Sequence, residues 1–468
     1  MGASETRFDV TVIGSGPGGY VAAVRAAQLG MKTAVVEMAP LPGGTCLHTG
    51  CIPTKALLHA ADVLETARDA QKFGVRVQGV ELDLDAVRKY KEKTVTSNAK
   101  GVEYLFKKNG VTLLAGRGRL AGRGRVEVTP PGGKPLLVLS PKVVLATGSA
   151  IRGLSGVLFD GERILSSDDA LRMKALPASM IVLGAGAVGV EFASIYASFG
   201  SKVTLVELLP RILPLEDAAL GTELERALAK RGIVVHTGTR VESVRRDDRG
   251  VRLEAQKAGA SLRLEAETLL VAVGRRPLTE NLGLEGTGVR LDRGFVVVDT
   301  MMRTGEPDVY AIGDIVPTQA LAHVASHEGI VAVEHAAGLL PHAIDYDRIP
   351  SCTYSRPEVA SIGLSEEEAR RRGHDVVIGT FPFSAVGKAK ILDERAGFVR
   401  IIAEKKYDEV LGVQILGPHA TELISEGTAA LSLEATCASL IEAIHAHPTL
   451  AEAMGEAALA VHGRAIHM

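Results

Sequence analysis

The sequence predicts an α/β protein built from two Rossmann-like nucleotide-binding units and a C-terminal α+β segment. Three observations predict it. An apolar strand, G-x-G-x-x-G, a helix, a second strand and an acid follow one another twice, from Gly14 to Glu37 and from Gly184 to Glu207. In both copies the acid stands 23 residues after the first glycine. From Ile349 onward the pattern changes to short strands followed by helices. Two such units imply two separate dinucleotides.

The first unit opens with the apolar run Phe8 to Ile13. Gly14 permits a tight turn, Gly16 lets the backbone approach a pyrophosphate, and Gly19 lets helix pack on strand. The helix runs through Leu29, closed by Gly30, and its N-terminus attracts phosphates. Lys32 to Val36 is the next strand, and Glu37 is placed to accept hydrogen bonds from a ribose.

Gly43 to Lys55 then carries Cys46 and Cys51 straight after a glycine pair. Ala56 to Thr66 has apolar residues at helical spacing. Both sulfurs therefore lie near a helix start, where the dipole and free N–H groups stabilise a thiolate. Lys55 adds positive charge. A redox-active dithiol and a pair of inert buried cysteines both fit these residues.

Composition narrows the field. The chain has 468 residues, enough for two to four domains, and a net charge of −2, which gives no basic footprint for nucleic acid. Four cysteines in so long a chain are no disulfide framework. No apolar run approaches a membrane span. With no signal peptide read at the start, a reducing cytoplasm is the expected location. Met1 to Thr6 formally matches a myristoylation pattern, but a six-residue match carries little weight.

The stretch GGTCLHTGCIPTKALL resembles the redox-disulfide signature of the flavoprotein disulfide reductases, the class I pyridine nucleotide-disulfide oxidoreductases. Within them it is most similar to the branch that oxidises dihydrolipoamide. His48-Thr49 and Thr54 depart from that branch's usual residues without removing a reacting atom. The resemblance covers essentially the whole chain. It implies FAD in the first unit, NAD in the second, and a catalytic disulfide between Cys46 and Cys51. Gly44, Thr45 and Lys55 then belong to the flavin site. Cys46 exchanges with substrate and Cys51 faces the flavin.

Residues 60–110 carry helical patterns at Ala61 to Lys72 and Leu84 to Lys108, adequate as scaffold. Val111 to Leu114 reads as a strand and Gly116-Arg117-Gly118 as a turn; the resemblance puts Gly118 at the adenine side of FAD. Val126 to Leu139 reads as a hairpin. Lys142 to Ala146 delivers Thr147, Gly148 and Ser149, small residues that allow close approach to a nucleotide. Val309 to Ile312 ends in Gly313-Asp314. The resemblance gives Asp314 the ribityl chain of FAD, and gives Ala322 a backbone N–H to the flavin ring.

In the second unit Gly184, Gly186 and Gly189 repeat the phosphate loop. Glu207 would bond a ribose 2′-OH and repel a 2′-phosphate, which favours NAD over NADP. Arg211, four residues on, argues the other way and reads as a solvated charge. The resemblance adds Val241 and Gly274 to the NAD site and places Glu191 near the flavin and Lys55. His323 and His327 share a helix face but lack a metal-binding context, so no metal is expected.

The C-terminal segment resembles the family's dimerisation domain. Cys352 and Cys437 read as small buried hydrophobes. His445-Ala446-His447-Pro448 precedes Glu452; histidine suits proton transfer with a thiol, and a carboxylate can orient it. The resemblance makes His447 the acid/base, Glu452 its partner and His445 a supporting residue. It supplies this pair from the other subunit, so the active site is shared within a homodimer. The expected division is FAD-binding over 1–151, NAD-binding over 152–279, a central part completing the FAD domain over 280–347, and an interface domain over 348–468.

The expected activity is oxidation of protein-bound dihydrolipoamide with reduction of NAD⁺. The expected partners are a lipoyl-bearing carrier and the acyltransferase core of a 2-oxo acid dehydrogenase complex, or a glycine cleavage system. Glutathione-type reductases show a second lysine where Thr54 stands and arginines for a 2′-phosphate. Mercuric reductases end in a cysteine pair, and this chain ends Gly463 to Met468 without one. A non-catalytic assembly subunit with idle thiols is the rival from another class.

Overall fold

The computed structural model describes residues 6–468. Most of the myristoylation pattern lies outside them. The chain divides into two compact units. The first comprises the chain up to Ala56, Asp85–Arg152 and Arg275–Ile344. The second comprises Leu57–Leu84, Gly153–Gly274 and Asp345–Met468.

The first unit is centred on five parallel strands, in the order Val309–Ala311, Lys142–Leu145, Val10–Ile13, Thr33–Glu37, Thr112–Ala115. The four inner strands are covered on both faces, which is why they read as apolar runs rather than alternating ones, while the edge strand Thr112–Ala115 is mostly exposed. Val10, Val12, Val35 and Val144 enter one core cluster, Ile13, Val36, Val143 and Leu145 another. The helices Pro17–Gln28 and Ala322–Ala336 pack together closely because glycines meet there. A Cβ on Gly329 would lie 2.6 Å from the carbonyl oxygen of Gly18. A second sheet, ordered Thr6–Arg7, Leu136–Leu139, Arg125–Thr129, Arg117–Leu120, packs on the same core.

Two local readings are corrected here. Gly116-Arg117-Gly118 is not a turn throughout: Arg117 starts the strand Arg117–Leu120. Gly118 is in that strand because a side chain there would crowd Ile13 and Val36 of the parallel sheet, at 3.0 and 3.1 Å. The helix expected from Ala56 begins at Cys51 and continues to Asp69.

In the second unit five parallel strands run in the order Ile164–Leu165, Thr268–Val271, Ser179–Leu183, Lys202–Val206, Val234–His236. A three-stranded antiparallel sheet of Thr239–Asp247, Gly250–Lys257 and Ala260–Ala266 accompanies it. The C-terminal part is a five-stranded antiparallel sheet, ordered Ser351–Thr353, Glu358–Gly363, Val410–Gly417, Phe398–Glu404, Val376–Pro382. The helices Ala420–Ser432, Cys437–Glu442 and Glu452–Val461 contribute to its core. Cys437 is fully buried in that core, and Cys352 packs half-buried against it.

Candidate active site

The two phosphate loops are built alike. Gly14 has φ +106° and Gly184 φ +103°, the left-handed region that glycine tolerates. A Cβ on either would collide with a carbonyl oxygen, of Ala146 or Ala272. Gly19 and Gly189 press on the carbonyls of Gly14 and Gly184 in the same way. Gly16 and Gly186 differ: nothing lies within 4 Å of where their Cβ would be. They cap the helices Pro17–Gln28 and Ala187–Phe199 with no side-chain bond and no acid in the first turn. Packing therefore demands the outer glycines, while the middle one faces open space at a helix N-terminus, which fits a pyrophosphate.

The acids also match. Glu37 accepts from Ser15 N at 3.0 Å, Ser15 Oγ at 2.5 Å and Ala39 N at 2.8 Å. Glu207 accepts from Ala185 N at 2.6 Å and Leu209 N at 2.9 Å. Each carboxylate is thus fixed beside its loop with lone pairs remaining for ribose hydroxyls. Arg211 is not a fully solvated charge. It is half-buried, with Nη2 at 3.4 Å from Pro214 O and, among the described residues, no hydrogen-bond partner for Nε. Val241 lies at a register shift between paired strands, and Gly274 has φ +110°.

Beside Glu37 the first unit holds an open cavity of about 940 Å³, lined by Met38, Ala39, Gly116, Arg117, Asn281 and Gly283 among others. Gly118 is buried in its strand next to it. Asn281 and Gly283 carried no sequence signal, because they enter from a stretch far along the chain. Further round, Ser149 Oγ donates to Asp314 at 2.5 Å, and Arg275 Nε donates to Ser149 Oγ at 2.7 Å. Thr147 Oγ1 donates to Leu278 O at 2.7 Å, and Gly148 has φ +72°. Buried Glu328 accepts from Gly313 N and Thr318 Oγ1, holding the turn that carries Asp314 against the helix that begins at Ala322. The bond of Arg275 to Ser149 and the role of Glu328 were not foreseen; a sequence does not reveal bonds between residues so far apart.

The cysteine stretch is fastened to the first phosphate loop. Gly43 N donates to Ser15 O at 3.0 Å, and a Cβ on Gly44 would lie 2.6 Å from Gly16 Cα. Thr45 and Cys46 fall in the short helix Gly44–His48, and Cys51 opens the helix Cys51–Asp69. Gly50 lets these two turns meet, since a Cβ there would stand 2.9 Å from Thr45 O and 3.2 Å from Cys46 Cα. Thr54 Oγ1 donates to Gly50 O at 2.6 Å, and His48 Nε2 bonds Pro42 O at 3.0 Å. Both sulfurs are thiols here and are hydrogen-bonded to each other. That bond, then burial and the neighbouring Cys51 charge, push the Cys46 thiol far up, against the pull of Lys55. The sulfurs are thus in contact, as exchange between dithiol and disulfide requires.

In the second unit Glu191 is almost fully buried and accepts from Tyr354 N at 3.0 Å. His447 Nδ1 bonds Glu452 Oε1 at 2.8 Å, and Thr449 N donates to Oε2 at 2.9 Å. Burial works to raise the Glu452 pKa, but the bonds from His447 and Thr449 outweigh it and hold the carboxyl below its usual range. A carboxylate only accepts, so Nδ1 carries the proton and Nε2 is left to take one. The His447 side chain is 77% exposed. His445 Nε2 makes a similar bond to Glu426 at 2.7 Å. His323 O and His327 Nδ1 bond each other at 2.9 Å, and among the described residues no cluster of three metal-ligating side chains occurs.

Two dinucleotide loops, one bearing a dithiol, define a nucleotide-linked disulfide oxidoreductase. Residues 8–329 match the model of the pyridine nucleotide-disulphide oxidoreductases and residues 349–458 that family's dimerisation domain, and the chain belongs to this family. It is a FAD- and NAD-dependent enzyme, and the dimerisation domain indicates a homodimer. The chain is 47% identical to the dihydrolipoyl dehydrogenase of Bacillus subtilis (strain 168), over 99% of both chains. It is 41% identical to the mitochondrial dihydrolipoyl dehydrogenase of Pisum sativum, over 98% of this chain and 92% of that one. The crystal structure of LpdA from Mycobacterium tuberculosis is similar with TM-score 0.89 and 29% identity, covering 97% of this chain and 99% of that one.

Proposed function

We propose that this enzyme oxidises the dihydrolipoyl group of a carrier protein to its cyclic disulfide and reduces NAD⁺. The observation that carries the reading is the contact of Gly44 with Gly16, which seats the cysteine pair on a phosphate loop. In this reading 1–151 and 280–347 hold FAD, 152–279 hold NAD, and 348–468 form the dimer interface.

His447 Nε2 takes the proton of one substrate thiol, and Glu452 stabilises the resulting imidazolium. The substrate thiolate attacks Cys46 of the Cys46–Cys51 disulfide, forming a mixed disulfide and releasing the Cys51 thiolate. The second substrate thiol then attacks the mixed disulfide at the substrate sulfur. The cyclic disulfide leaves, and two electrons remain on the cysteine pair. FAD held beside the cysteine pair would supply the two-electron redox chemistry that links the dithiol to NAD⁺. Gly14, Gly16 and Gly19 admit its pyrophosphate, Glu37 its ribose, and Asp314 its ribityl chain; Lys55 and Glu191 complete the surroundings. Gly184, Gly186, Gly189 and Glu207 hold NAD, with Val241 and Gly274 beside it. His447 and Glu452 serve the partner subunit's Cys46 and Cys51, which accounts for the exposure of the His447 ring.

The carrier is the lipoyl domain of a 2-oxo acid dehydrogenase complex or a glycine cleavage system, and the acyltransferase core is the docking partner. We place the enzyme in the cytoplasm, a reducing compartment that suits a disulfide that must open and close. The test is reduction of NAD⁺, against NADP⁺, by dihydrolipoamide with the purified holoenzyme. Strong NAD⁺-linked turnover supports the reading; dominant use of NADP⁺ or no lipoamide oxidation overturns it.

A further inference from the structure

His447 stands in a segment that is neither helix nor strand, between the helices Cys437–Glu442 and Glu452–Val461. From Glu442 to Pro448 every residue but one is exposed; the exception is His445, whose side chain is 14% exposed. Ile444 beside it is 99% exposed. On the N-terminal side of His447, His445 is therefore the one side chain from Glu442 to Ala446 that is drawn inward. Thr449 Oγ1 closes the turn across His447 by donating to Ala446 O at 2.7 Å, and Thr449 N donates to Glu452 at 2.9 Å on the C-terminal side.

The anchor joins two helices. His445 Nε2 meets Glu426 of the helix Ala420–Ser432 at 2.7 Å. The other edge of the ring rests on Gly455, where a Cβ would come within 3.4 Å of Nδ1 and 3.6 Å of Cε1. Gly455 lies on the same helix as Glu452, the carboxylate that orients His447. One helix thus seats the anchor with a residue that has no side chain and aims the exposed imidazole with one that has.

We infer that His445, held by Glu426, is a positioning residue for His447, fixing where the Nε2 of His447 presents itself to the substrate thiol. This rests on the reading of His447 as the acid/base. A Glu426 carboxylate accepts a bond from any correctly placed N–H, so the device needs a donor at the reach of Nε2, not a titrating ring. Glutamine at 445 supplies such a donor and alanine does not. A base displaced by about an ångström costs up to about a hundredfold in rate.

The experiment compares His445→Ala, His445→Gln, Glu426→Ala and His447→Gln holoenzymes in two assays. One is dihydrolipoamide with NAD⁺, which needs a base. The other is NADH with ferricyanide, which takes electrons from the flavin without thiol deprotonation. His445→Ala and Glu426→Ala should lower dihydrolipoamide kcat by about ten- to a hundredfold, leaving the KM for NAD⁺ and the ferricyanide rate within about twofold of the parent enzyme. His445→Gln should recover most of the lost kcat. His447→Gln should lower kcat by at least about a hundredfold. If His447→Gln is crippled while His445→Ala is unimpaired, the positioning role is wrong. Loss of both activities in His445→Ala and in Glu426→Ala would mark a merely structural role and equally overturn it. An active His447→Gln would instead refute the acid/base reading beneath it.

Discussion

Gly44 lies on Gly16: a Cβ at position 44 would be 2.6 Å from the Cα of residue 16. Gly44 also has φ +59°, where an L side chain costs roughly 1–2 kcal/mol before any collision. Gly44→Ala should therefore separate the cysteine stretch from the phosphate loop. The neighbouring Gly16→Ala makes the contrast, since a Cβ added at residue 16 would point into open space. We expect Gly44→Ala to lower the unfolding midpoint of the FAD-stripped protein, and Gly16→Ala to leave it almost unchanged. Both should lose FAD, seen as a lower flavin-to-protein ratio after gel filtration. An unchanged FAD-stripped midpoint in Gly44→Ala would mean that the contact is slack.

Glu207 sits beside the second loop with bonds from Ala185 N and Leu209 N. Glutamine there keeps one acceptor oxygen but removes the charge that repels a 2′-phosphate. Glu207→Gln should lower kcat/KM for NAD⁺ by about tenfold, the equivalent of about 1.4 kcal/mol of lost binding. NADP⁺ should gain relative to NAD⁺ by at least as much. Steady-state kinetics with both nucleotides checks this. An unchanged NADP⁺/NAD⁺ ratio would show that the carboxylate does not discriminate.

These loops were legible in the sequence because their glycines answer backbone collisions that any such turn must meet. The adjacent acid is legible for the same reason, standing at the end of its strand or one residue past it and accepting from the loop N–H two residues beyond the preceding strand. Other parts were hidden. The strands Thr239–Asp247, Gly250–Lys257 and Ala260–Ala266 are rich in exposed charge and show no apolar run. Val376–Pro382 carries Gly379 and Pro382, both poor strand formers. Arg275, Ser149 and Asp314 meet from three distant stretches, and nothing local foretells such a bond. His445 was visible as part of a motif, but its burial and its partner Glu426 were not.

Asp217 caps the helix Ala218–Lys230 and pairs with buried Arg400 at 3.0 Å. Burial works to raise its pKa. Bonds from Ala219 N and Gln414, the Arg400 charge and Glu366 N outweigh it, and the carboxyl is held below its usual range. A carboxyl with a lowered folded pKa contributes stability that is fully present above its unfolded value, about 3.9, and that is lost as pH falls through the folded one. Asp217→Asn keeps a capping side chain and removes the charge. It should cost about 2 kcal/mol at pH 7, and the difference from the parent should shrink as pH is lowered below the unfolded value. Urea unfolding followed by circular dichroism at several pH values measures it. A gap that persists or widens in acid would place the effect elsewhere.

Cys46 and Cys51 give the most direct separation of the two halves of the reaction. The hydrogen bond to Cys51 keeps a proton on Cys46. A thiol so held is a poor nucleophile until a base takes the proton. Serine at either position preserves size and hydrogen bonding but cannot form or accept a disulfide. Cys46→Ser and Cys51→Ser should each lower dihydrolipoamide oxidation by more than about a thousandfold. Electron flow from NADH to ferricyanide should survive, because the nucleotide loops at Gly16 and Gly186 are untouched. The two assays on one preparation, with the flavin-to-protein ratio as a folding control, decide the matter. Dihydrolipoamide turnover that persisted in either variant would mean that the pair is idle. Substrate thiols would then have to reach the flavin by another path.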